Sequence, residues 1–139
     1  MRRPVRIALV AVAASVLAGC TAGPVALGSP GRAPIFDRAQ TDQDVLPDDV
    51  PDDGYVAGSI RYVGEDSVGG RYWVALREDE SECIIADATG AGDWAGFCAR
   101  SGLSGTLLDG ATVEFATAPQ NLDPASAERV GDAILVERP

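Results

Sequence analysis

The chain contains no histidine and no lysine, which removes much catalytic chemistry before any motif is weighed. A Ser-His-Asp triad, a histidine-bound zinc and a Schiff-base lysine each need one of the two. Carboxylates remain. Glu78, Asp79, Glu80 and Glu82 cluster between two apolar runs, and general acid-base work by such a pair is the one enzymatic route left open. That work needs a cleft that raises one pKa, whereas a hairpin tip is normally solvated. Two further motifs fail at one position each. Gly90-Ala91-Gly92 follows a strand pattern, but the third glycine of a dinucleotide loop falls at Ala95 and no helix pattern follows. Gly102-Leu103-Ser104-Gly105 begins like a nucleophile elbow whose closing glycine is Thr106. Asp42-Gln43-Asp44 opens like a calcium loop, with Leu46 and Pro47 where Asp or Asn and then Gly belong. The sequence predicts no catalytic residue, no metal and no cofactor.

Binding chemistry is better represented. Trp73 sits between Arg71 and Arg77, and Trp94 lies in a glycine-rich stretch with Phe97 just before Cys98. Tryptophan and arginine are the residue types most often found as binding anchors. Trp73, Arg71, Arg77, Trp94 and Phe97 are therefore the candidate partner-binding residues. The competing reading is that both indoles fill the open ends of a small sheet core, since a small domain needs its large side chains inside.

The element that must position all of these stands at the other end of the chain. Arg2, Arg3 and Arg6 precede an apolar run from Ile7 to Ala18, and the run ends in Leu17-Ala18-Gly19-Cys20. A basic start, a short apolar stretch and small residues before a cut site make a secretory signal. A spanning helix needs about 20 apolar residues, more than this run supplies. All four final positions match the lipobox, and the segment resembles bacterial lipoprotein precursors. The resemblance implies a signal peptide over residues 1–19, cleavage before Cys20, and a diacylglyceryl group on the Cys20 sulfur. It places the protein at the cell membrane, on the extracytoplasmic side. It covers twenty residues and carries no activity. The Tyr72-Trp73 strand and the later cysteine pair also resemble uncharacterised extracytoplasmic domains of high-GC bacteria.

With Cys20 lipidated, Cys83 and Cys98 are left as an even pair in an oxidising compartment and are expected to form a disulfide. Removal of residues 1–19 takes three of the eleven arginines with it and leaves eight against 21 acidic residues, a net charge of −13. Phosphate backbones repel such a chain, so nucleic acid is not an expected partner. The expected partners are the membrane, through the lipid, and a protein or envelope polymer.

Residues 20–54 read as a lipidated, disordered linker. Asp37 to Asp53 carries seven aspartates against one arginine, broken by Pro47 and Pro51. Ile35 and Phe36 are a bulky apolar pair within it and its candidates for docking on the domain. From Tyr55 the pattern turns to β. The alternation in Arg71 to Arg77 sets Tyr72, Val74 and Leu76 against Trp73 and Ala75, and Glu82 to Asp87 makes the next strand, with Cys83 and Ile85 on one side. Asp109-Gly110 predicts a hairpin with Leu108 opposite Ala111 and Thr106 opposite Val113. Asp123-Pro124 predicts a short helix through about Val130. Ala133 to Val136, apolar without alternation, predicts a strand covered on both faces. The expected fold is all-β: a small antiparallel barrel or sandwich of five to six strands with one short helix, spanning residues 55–138.

Overall fold

In the computed structural model, which describes residues 32–139, eight strands form two antiparallel sheets packed face to face. The first sheet runs β1 (Arg61–Glu65), β2 (Arg71–Leu76), β3 (Glu82–Asp87), β4 (Trp94–Ala99), paired in that order. The second is ordered β5 (Ser104–Thr106), β6 (Thr112–Phe115), β8 (Ile134–Glu137), β7 (Glu128–Val130). The lipobox and the first part of the linker lie outside the described residues. Among the described residues no helix is long and apolar enough to cross a membrane.

The period-2 pattern explains the layering. Tyr72 and Val74 from β2, Ile84 and Ala86 from β3, and Val113, Phe115, Ile134 and Val136 from the second sheet meet in one core. The alternate residues, Trp73 and Ala75 on β2 with Cys83 and Ile85 on β3, point to the outer face of the first sheet. In a two-layer sandwich that face would meet water. Here Leu46 and Val50 cover it, joined by Tyr55 and Ile60. The Trp73 indole N–H donates to the Val45 carbonyl at 3.1 Å.

Residues 32–54, read above as linker, are therefore a strap on the domain. Pro34–Asp37 forms a 3-10 turn opened by proline, and Ile35 and Phe36 pack against the main core as expected. The acidic composition hid this, because the aspartates flank a few apolar residues rather than replace them.

Three further expectations are corrected. The residues 124–130 expected as a helix make a single turn, in which the Ala127 N–H donates to the Asp123 carbonyl at 2.9 Å, before the chain extends into β7. Seven residues are too few to sustain a helix alone, and pairing with β8 buries Val130 completely. The Asp109-Gly110 hairpin is tight, but its register differs by one: Leu107 faces Ala111, and Thr106 pairs with Thr112. Gly110, at a φ of 85°, adds a bulge residue to the turn and leaves Leu108 outside with 82% of its surface exposed. The strand count is eight rather than five to six, since β5 and β7 have only three residues each. Ile134 to Val136 are covered on both faces, as the unbroken apolar run predicts.

Candidate functional site

The candidate anchors do not share one surface. Trp73 is 4% exposed and belongs to the outer-face cluster under the strap. Its ring lies 5.4 Å from that of Tyr62, and the Arg71 guanidinium stacks 5.6 Å from the indole centre. Arg71 also donates to Asp87 at 2.5 Å, across the Arg71↔Asp87 pair. Arg77 is exposed past the end of β2. Trp94 and Phe97 lie on opposite faces of β4: Trp94 packs half-buried against the outer cluster, and Phe97 against the main core.

Cys83 and Cys98 are bonded. They are direct cross-strand partners on β3 and β4, with Cα atoms 4.1 Å apart. The segment between them is a plain hairpin, pinned at its open end, and presents no joint Trp94–Phe97 platform.

Four carboxylates buried in the fold hold loops rather than face a cleft. Asp44 takes both Arg38 nitrogens at 2.6 Å and accepts the Thr41 and Tyr62 N–H groups at 2.6 Å. The Arg38 guanidinium bound to Asp44 holds its carboxyl far below the ordinary carboxylate range. Asp66 accepts the Tyr72 hydroxyl at 2.7 Å and the Gly70 N–H at 2.8 Å, and Arg138 completes its shell. Burial, reinforced by Asp66, pushes the Tyr72 phenol up. Asp87 pairs with Arg71 and accepts the Gly92 N–H at 3.2 Å. Glu114, on the covered face of β6, accepts the N–H groups of Gln120, Asn121 and Leu122 between 2.8 and 3.1 Å. Burial would raise its pKa, but those donors outweigh burial and bring it down to about 2.

The chemistry open to solvent lies elsewhere. A cleft of about 400 Å³ is lined by Arg32, Glu80, Glu82 and Arg100, by the hydroxyl residues Ser101 and Thr117, and by Leu103 and Phe115. It forms where the β2–β3 hairpin tip, the β4–β5 connection and the start of the described chain converge. Glu80 adopts a positive φ of 66° at that tip. Glu82 accepts the Ala33 N–H at 2.7 Å, which fastens the strap to the rim of the cleft.

Comparison with family models, with curated proteins and with solved structures gave no match.

The acidic cluster around Glu80 is thus partly in a concave site, not only on a solvated tip. Two glutamates and two arginines offer acceptors and donors around an apolar floor. That set suits an occupant with both polar groups and apolar surface, such as a peptide or a saccharide. Among the described residues no group of three or more His, Cys, Asp or Glu is placed to hold a metal. The sequence reading missed Arg32, Arg100, Ser101 and Thr117, which no local motif connects. Only the sandwich topology brings them together.

Proposed function

We propose that this chain is a lipid-anchored, extracytoplasmic module that binds a protein or envelope polymer without transforming it. The lipobox supplies the address. The observation that carries the binding reading is the mixed-charge cleft beside Arg32, where the described chain begins. Cys20 is twelve residues upstream of Arg32, and twelve residues reach about 40 Å at full extension. The cleft is therefore kept within that distance of the lipid, closer than a linker running to residue 54 would hold it.

A second reading, a small cell-envelope enzyme using paired carboxylates, draws on the presence of Glu80 and Glu82 along the same cleft. The hydrogen bond from the Ala33 N–H to Glu82 favours binding over chemistry, because it engages one member of the pair.

A photo-crosslinking residue at Ser101, in the cleft, tests the proposal in intact cells carrying the full chain, with exposed Leu108 as the control position. Adducts should form from Ser101 and not from Leu108, and Cys20→Ser should abolish both membrane retention and the adducts. Equal labelling from the two positions, or none, would count against the cleft. Turnover of an envelope polymer by the purified chain, abolished by Glu82→Gln, would support the enzymatic reading instead.

A further inference from the structure

The two sheets have four edges, at β1, β4, β5 and β7, and exposed edges are normally blunted against pairing with another chain. Three of these are. On β1, the Tyr62 N–H donates to Asp44 at 2.6 Å, its carbonyl accepts from Arg38 at 3.1 Å, and the register is broken at Gly64. Strands β5 and β7 are three residues long; β7 carries Glu128 and Arg129, and Gly105 of β5 lies under the Phe97 ring.

Strand β4 has none of these devices. Its sequence, Trp94-Ala95-Gly96-Phe97-Cys98-Ala99, holds no charge and no proline, and its six pairs with β3 run without a bulge. The Ala88 N–H donates to the Asp93 carbonyl at 3.2 Å, which sets the phase of that ladder. Ala95, Phe97 and Ala99 therefore bond to β3, and the N–H and C=O groups of Trp94, Gly96 and Cys98 point off the open edge. The close Cα spacing of Cys83 and Cys98 fits a non-hydrogen-bonded pair and agrees with this phase. Among the described residues, nothing pairs with that edge.

We propose that the β4 edge is a homodimer interface, at which two copies pair β4 antiparallel to β4 across a two-fold axis at Gly96. The outward-facing set is symmetric about Gly96, so Gly96 meets its own copy and Trp94 meets Cys98 in both directions. This is the self-complementarity that a two-fold interface requires. Gly96 puts no side chain at the axis, and Gly96 and Cys98 are exposed. The flanking charges agree: Asp93 precedes the strand and Arg100 follows it, so antiparallel pairing brings each Asp93 to the end that carries the partner's Arg100. Among the described residues, Arg100 has only a 4.0 Å ion-pair contact, to Asp79, with 75% of its side chain exposed. The pairing does not depend on how the chain is anchored.

The full chain, extracted in a density-matched detergent, should sediment as two copies that dissociate on dilution. Amide exchange should then slow at Trp94, Gly96 and Cys98 as concentration rises, while Ala95, Phe97 and Ala99 are protected throughout. Gly96→Pro removes an N–H that faces away from β3, and Gly96→Asp sets two carboxylates together at the axis. An added Cβ there meets only the Tyr55 hydroxyl, at 3.3 Å. Each variant should weaken pairing by about tenfold or more, with the far-ultraviolet circular dichroism of the dilute chain unchanged. A single copy at every concentration overturns the proposal, as does a two-copy particle in which those three amides stay unprotected. Protection that appears only on addition of envelope extract would assign the edge to a foreign strand, and would overturn it equally.

Discussion

Glu114 shows how a single residue can hold an irregular stretch of this protein in place. The segment after β6 has no strand partner at residues 120–122, so its N–H groups need another acceptor. One carboxylate serves three of them and the Asn121 amide as well. Because the folded-state pKa, about 2, lies below the ordinary 4.5, this carboxylate stabilises the fold fully above about pH 4.5. The contribution is lost as pH falls from there toward 2, on the order of 3 kcal/mol in all. Urea unfolding of wild type and Glu114→Gln across that range should show it. The variant should be less stable by about 2–3 kcal/mol at pH 7, and the two curves should converge as the pH approaches 2. Asp44 acts likewise on the strap. Neither role is legible from sequence, since an isolated Glu in a strand reads as a solvent-facing position until the covering loop is known.

At the scale of elements, legibility followed the strength of alternation. β2 and β3 carry six-residue patterns whose two faces are both real surfaces, which is why their apolar residues sort between the two clusters, except Leu76, which lies partly buried at the end of β2 and joins neither. Asp123-Pro124 is a sound helix opening, so the β7 segment reads as helix from sequence, and its side chains give no sign that β8 claims the next residues. The Leu107-Leu108 pair could not be ordered from sequence alone, because both are apolar and only the bulge at Gly110 decides which turns inward. The cysteine pair was legible by arithmetic, although its place inside a hairpin was not. Such a link closes a loop of about 15 residues and should contribute roughly 3 kcal/mol. A Cys83→Ala/Cys98→Ala double variant should lose about that much in urea unfolding while retaining its strand signal. An undiminished midpoint would show that the β3–β4 ladder alone suffices.

At the scale of the whole molecule, the described residues form three layers, although the sequence advertises two. The outer cluster of Trp73, Ala75, Cys83 and Ile85 has a cover only because Leu46, Val50 and the Arg38–Asp44 pair bring the strap across it. The candidate cleft is likewise a property of the assembled domain, and its residues come from four separate parts of the chain. The folding unit should therefore include the strap, from Ala33, whose N–H donates to Glu82, through Val50. A chain cut to start at Gly58 should bind a hydrophobic dye strongly and lose its cooperative thermal transition, whereas one that keeps residues 32–57 should retain it. Equal melting of the two would make the strap an ornament on an independent sandwich.

The strap also sets an order in time. It precedes in the chain every strand it covers, and Trp73 lies 28 residues beyond its acceptor at Val45. Until β2 and β3 pair, Leu46 and Val50 have no surface to lie on, so the strap can dock only after the sheet beneath it forms. Contacts closing such long loops are slow to form. The seven aspartates between Asp37 and Asp53 should then keep that apolar segment hydrated until the sheet beneath it exists, because clustered like charges oppose collapse.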